Sequence, residues 1–253
     1  MAGRDHGGVW LLRKPGSRAK LTVKRTTLAL DASTGENSKF FSSFHVLLFF
    51  TLFLIMNFTE DFISQRLQQA LAAANPSSDG YAEIDVADKS KLKCAAVLLP
   101  LVRQDDKWHI LFTRRTDNVE SHKGQVSFPG GACDEGETTP EQTALREVEE
   151  EIGIQARDIK IIGRMTTLVT ISFFRVTPIV GVMNWPAVFR IGRDEVARVF
   201  TIPLEWLADA SNRWQFDIPG QNRSIIAYHP YDGELLWGAT ARMTVDFLSA
   251  LGL

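Results

Sequence analysis

Cysteine is nearly absent from this chain: Cys94 and Cys133 are the only two in 253 residues. Two cysteines without ligand spacing argue against a zinc site. They also make no disulfide framework, so a reducing compartment is the default expectation. Cys94 stands in an apolar run and reads as a small core residue, while Cys133 lies in an acidic loop. An excess of one charge is lacking too. Lysine and arginine number 28 against 30 aspartate and glutamate, a net charge of −2, which gives no electrostatic reason to expect nucleic acid or an anionic membrane as partner. There is no internal repeat and no low-complexity tract. What is present is an ordinary globular composition, 45% apolar and 23% charged, with core material for one large domain or two small ones.

The first 55 residues differ from the rest. Residues 1–39 are basic and turn-rich, and residues 44–58, FHVLLFFTLFLIMNF, are almost continuously apolar. A basic stretch before such a run has the form of a signal-anchor, although a lone span needs about 20 apolar residues. Insertion would keep the basic flank cytoplasmic and export the remainder. The preferred alternative is that the natural chain begins at Met56, where Thr59 caps a helix with Phe62, Leu67, Ala70 and Leu71 at helical spacing. The expected organisation is therefore a basic and hydrophobic extension over 1–55, a helix and linker over 56–91, and one domain over 92–253. The expected location is cytoplasmic, with membrane association only if residues 44–58 are expressed and inserted.

Chemistry concentrates between Gly130 and Ile154, GGACDEGETTPEQTALREVEEEIGI. Thr139 as N-cap, Pro140 at the first helical position and Gln142 closing a capping box predict a helix start. Gly153 predicts its end. Leu145, Val148 and Ile152 would face a core. Glu147, Glu150 and Glu151 stand at i, i+3 and i+4, so the helix gathers three carboxylates on one side. A solvated face gains nothing from that crowding, whereas hard cations that prefer oxygen, Mg²⁺ or Mn²⁺, relieve it. Arg146 sits on the shoulder of that face, where it can hold a glutamate. Phe128-Pro129-Gly130-Gly131 reads as a strand end and a turn that lets backbone approach a ligand closely.

This stretch resembles the Nudix box, whose pattern is filled here by Gly131, Glu137, Arg146, Glu147, Val148, Glu150, Glu151, Gly153 and Ile154. Eight residues rather than seven separate Glu137 from Arg146. That spacing, the run Leu111–Arg115, the stretch His122–Gly131 and Leu236–Ala241 resemble the coenzyme A diphosphatase branch. The similarity spans roughly residues 92 to 250. It implies an α/β fold, the Nudix α/β/α sandwich with a mixed sheet between helices. It further implies that Glu147, Glu150, Glu151 and the Gly131 carbonyl hold Mg²⁺ or Mn²⁺, with Arg146 orienting Glu147.

The general base varies in that family; Glu151, Glu147 and Glu195 are candidates. Substrate contacts are expected from Arg115, Arg114, His122 and Gly130. Of the two arginines only one can face a crevice from a strand, Arg115 by the family motif. His122 is either a substrate contact or a loop residue holding the turn before Gly124, the latter preferred, and Trp237 reads as packing. Glu120 stands where that branch often has an arginine, which weakens any contact to the 3′-phosphate of coenzyme A. The implied substrate is coenzyme A or acyl-coenzyme A, cleaved to 3′,5′-ADP and a phosphopantetheine. The alternatives are another nucleoside diphosphate derivative, such as ADP-ribose or a dinucleotide, and a non-catalytic nucleotide sensor. A homodimer is one assembly the residues allow.

Elsewhere, strands are expected over 93–102, 108–113, 125–128, 159–164 and 168–182, the last broken at Pro178, with an edge strand over 225–228. Residues 203–207 and 240–251 read as helices, and 75–91 as a turn-rich connector.

Overall fold

The computed structural model describes residues 58–74, 91–117, 122–217 and 224–253. The extension over 1–55, the start at Met56, the apolar run up to residue 57, the connector up to residue 90 and Glu120 lie outside the described residues. No described helix is long and apolar enough to cross a membrane.

Strand β1, Lys93–Gln104, forms the centre because it alternates between two apolar faces. Ala95, Leu99 and Leu101 enter one core, while Ala96, Leu98 and Val102 enter the other. Its hairpin partner β2, Lys107–Arg115, follows a two-residue turn in which Asp105 and Asp106 both have positive φ, the twist a tight hairpin requires. On its other side β1 pairs in parallel with β7, Phe174–Met183, which pairs antiparallel with β5, Ile159–Arg164. β3, Val126–Ser127, and β8, Val196–Pro203, extend β2. The short β4, Gly130–Ala132, lies against β1, and β6, Leu168–Val169, against β7. The result is an eight-stranded mixed sheet.

Helices cover both faces, as the sandwich requires. Helix α1, Glu60–Ala73, buries Ile63 and Leu67 in the first core, together with Phe247 and Leu248 of α4, Gly238–Leu251. Helix α2, Pro140–Ile152, buries Ala144, Val148 and Ile152 in the second. A short α3, Leu204–Ala208, follows β8, and β9, Arg213–Asp217, pairs with β10, Ser224–Tyr228, as a separate two-stranded sheet. Helix α1 starts as the sequence predicts, with Thr59 Oγ1 accepting from Phe62 N at 3.1 Å. Phe58, before it, is buried and its carbonyl accepts from Trp108 Nε1 at 2.6 Å. A Cβ on Gly163 would fall 2.8 Å from Leu67 Cδ1, so this glycine lets α1 settle onto β5. Leu67→Ala should accordingly lower unfolding free energy by roughly 3 kcal/mol in urea titration. A loss under about 1 kcal/mol would mean that α1 is not part of the core.

Three expectations are corrected. The strand expected over 168–182 is broken at Thr170–Phe173, not at Pro178. Pro178 is tolerated inside β7 because its carbonyl side, which accepts from Met165 N at 2.9 Å, faces just past the end of β5, where no donor is demanded of it. Cys94 is exposed rather than a core residue. It is bonded to Cys133, because the β1–β4 register that sets Ala95 opposite Ala132 brings the two cysteines to a Cα separation of 5.3 Å.

Candidate active site

The site is assembled by β1, β4 and the C-terminal half of α2. Gly130 has φ of +157°, and a Cβ there would lie 2.5 Å from Ala96 O. On Gly131 it would lie 2.3 Å from Glu147 Oε1. The glycine pair therefore lets β4 pass closely between β1 and the helix. Helix α2 starts and stops where the sequence predicts. Gln142 N donates to Thr139 Oγ1, Thr139 N donates to Gln142 Oε1, and Gly153 ends the helix at φ +73°.

Arg146 joins the acidic loop to the helix. Its Nε donates to Glu137 Oε1 at 2.8 Å, Nη1 to Glu147 Oε1 and to Glu150 Oε2 at 2.9 Å each, and Nη2 to Ala132 O at 2.9 Å. Glu137 in turn accepts at Oε2 from Asp134 N at 2.8 Å and from the buried Thr143 hydroxyl at 2.6 Å. These donors, Arg146 foremost, hold the Glu137 carboxyl down at about 2. The same bonds hold Arg146 still more firmly cationic.

The three helix glutamates occupy three environments. The Glu150 side chain is 59% exposed and reaches back to Arg146. Glu147 is half-buried, and burial raises its pKa against the opposing pull of Arg146. Glu151 is 4% exposed, and burial pushes it up to about 8, opposed by Arg115 and the Gly130 N–H and reinforced by the charges of Glu147 and Glu195. Its Oε2 is buried without a hydrogen-bond partner, as is Arg115 Nε. Arg115 Nη1 stands 3.8 Å from Glu151 Oε1, and Nη2 stands 3.7 Å from Glu195 Oε2. Glu195 is held there by two backbone bonds of its loop: Thr116 N donates to Glu195 O, and Gly192 N caps the helix end at Glu151 O.

Among the described residues no three acidic, histidine or cysteine side chains converge as a metal-ligand set. Arg146 holds Glu147 and Glu150, while Glu151 faces Arg115. The donor chemistry nonetheless fits a hard divalent ion: every candidate ligand is oxygen, and one buried carboxylate oxygen lacks any partner.

A cavity of about 640 Å³ opens against this corner, with Arg115, His122, Gly130 and Gly131 in its wall. The remaining wall is largely apolar, including Ile171, Phe174 and Ile226. His122 stands in the turn before Gly124, on the cavity wall. Its Nδ1 lies 2.9 Å from Gln125 Oε1, holding the turn. Arg114 is not brought to the cavity. It turns toward Glu234 at 3.7 Å and Asp117 at 3.8 Å, because successive strand side chains alternate and the ladder slips between the two arginines. Trp237, expected as packing, is 37% exposed and lines the cavity beside the start of α4. Thr143 was missed, though a hydroxyl on the inner side of an amphipathic helix is a visible signal. Ile171 was missed with the misplaced strand break.

The NUDIX domain family matches residues 92–214. The uncharacterized Nudix hydrolase NudL of Yersinia enterocolitica is 39% identical over 149 residues, covering 58% of this chain and 75% of the relative. The NudL protein of Pectobacterium atrosepticum is 36% identical, covering 58% and 77%. Nudix hydrolase 3 of Caenorhabditis elegans is 34% identical over 184 residues, covering 66% and 76%. The chain belongs to the Nudix hydrolases.

Proposed function

We propose that the protein hydrolyses a nucleoside diphosphate-linked substrate with the help of divalent ions, and that this substrate is coenzyme A or an acyl-coenzyme A. The products are 3′,5′-ADP and a phosphopantetheine. The observation that carries the reading is Glu151, an almost fully buried carboxylate with an unpartnered oxygen, set between Arg115 and the Gly130–Gly131 turn. Burying such a group is costly without a counter-charge, and pKa shifts of this origin cluster at functional sites.

Glu147, Glu150, Glu151 and the Gly131 carbonyl would hold Mg²⁺ or Mn²⁺. When bound, the ions supply neutralisation of the phosphoryl oxygens and a more acidic attacking water. The side chains do the rest. Arg146 fixes Glu147 and Glu150, and Glu137 fixes Arg146. Arg115 binds the diphosphate, its fork matching phosphate oxygens. Glu151, Glu147 or Glu195 accepts the proton of the water. The apolar cavity wall takes the uncharged arm of the substrate and keeps bulk water away. A cytoplasmic location goes with such a substrate.

A second reading, ADP-ribose or a dinucleotide as substrate, is favoured by one feature. Of the two arginines among the described residues of the cavity wall, Arg115 faces carboxylates and Arg242 is bonded to Asp246 at 2.9 Å, so neither is assigned to a third phosphate. The test is a panel of coenzyme A, acyl-coenzyme A, ADP-ribose and dinucleotides with Mg²⁺ or Mn²⁺, products separated by chromatography. Coenzyme A should give the highest kcat/KM, and Arg115→Ala should raise KM for every compound that is hydrolysed, since all of them carry the diphosphate. Preference for ADP-ribose or a dinucleotide would establish the second reading. Binding without hydrolysis of any compound would make the protein a nucleotide sensor.

A further inference from the structure

The geometry points to Cys94–Cys133 as a reversible thiol–disulfide site that sets how tightly the acidic loop of the catalytic corner is held. The bond ties the end of β4 to the start of β1. Asp134 follows Cys133 directly, and the loop is next fastened at Glu137, through the Thr143 hydroxyl, the Asp134 amide and Arg146. Between these two anchors, Asp134, Glu135 and Gly136 are exposed. Ala132, immediately before the bond, supplies the carbonyl that accepts from Arg146 Nη2. Both ends of the loop therefore meet at the guanidinium that positions Glu147 and Glu150. Opening the bond leaves that end of the loop to hydrogen bonds alone, Cys133 N donating to Cys94 O at 3.1 Å beside the β4–β1 ladder.

The site is also chemically suited to exchange. Cys94 is exposed and Cys133 partly so, within reach of a small thiol. The chain has no third cysteine to compete for either partner. In the reductive direction a thiolate of a dithiol reductant attacks one sulfur, the S–S bond breaks, and the departing cysteine takes up a proton. The reductant's second thiol then closes its own disulfide and frees the other cysteine, so two electrons and two protons pass to the protein. A disulfide oxidant reverses the sequence.

The consequence for ion binding rests on the hydrolase reading above; the coupling of bond to loop does not. Wild-type protein is equilibrated with oxidised or reduced dithiothreitol and then assayed in three ways. Alkylation followed by mass spectrometry should count no free thiols in the oxidised form and two in the reduced form. Hydrogen exchange of residues 133–138 should be slower in the oxidised form. Mn²⁺ should bind about tenfold more weakly to the reduced form, the low end of the effect of loosening a partner behind a metal ligand. A Cys94→Ser, Cys133→Ser double variant should behave as reduced protein under both conditions.

Two free thiols after oxidation would overturn the inference. So would a formed bond with identical loop exchange in the two states. If neither form bound Mn²⁺ while loop exchange still followed the bond, the hydrolase reading would fail and the thiol site would stand.

Discussion

Glu151→Gln should lower turnover on the order of a thousandfold, within the range for losing a proton-transfer group, while making the metal-free protein more stable. The two effects have one cause. The Glu151 carboxyl moves from 4.5 to about 8 on folding, with burial the main reason. Between those values the folded chain keeps the proton and the unfolded chain gives it up. The metal-free wild type therefore loses stability as pH rises from 4.5 to about 8 and is level beyond. Glutamine has no proton to lose, so the variant's stability relative to wild type should climb by roughly 4 kcal/mol across that window. Urea unfolding at pH 5 and pH 8 in chelator measures it, and parallel curves would contradict it. With Mn²⁺ present the order should reverse, since an ion bound only by the folded wild type stabilises that form.

Arg146→Ala should cost turnover on the order of a hundredfold with KM little changed, because Arg146 acts on Glu147 and Glu150 rather than on substrate. It should also destabilise the fold by about 2 kcal/mol, since a largely covered Glu137 loses its cation. Arg146→Lys should rescue little, because one ammonium cannot make the four bonds of the guanidinium. The pH dependence has the opposite sign from that of Glu151. Glu137 is held at about 2 rather than 4.5, so its stabilisation is present above 4.5 and is lost as pH falls toward 2. The stability difference between Arg146→Ala and wild type should shrink over that interval. A constant difference would separate Arg146 from Glu137.

Local rules carried much of the fold. The strand β1, the capping box at Thr139 and the left-handed Gly153 each depend on neighbours within a few residues, and each stands where the sequence predicts. The spacing of Glu147, Glu150 and Glu151 set their side of the helix but not their depth. Depth depends on Arg115, brought by a strand more than thirty positions earlier, and on the loop around Glu195. The Cys94–Cys133 bond was hidden for the same reason, since only the β1–β4 register makes those residues neighbours. Pro178 misled because its effect depends on which side of the strand lacks a partner. Trp237 is at the cavity through the bridge it makes with Ala227, which no local pattern announces.

On the proposed reading, the glutamates of α2 gather divalent ions beside the diphosphate. A crystal of the protein soaked in Mn²⁺ and measured at the manganese absorption edge tests it most directly. Anomalous density should appear beside Glu147, Glu150 and Glu151, with Glu150 released from Arg146. Density absent from those side chains at saturating Mn²⁺ would contradict it.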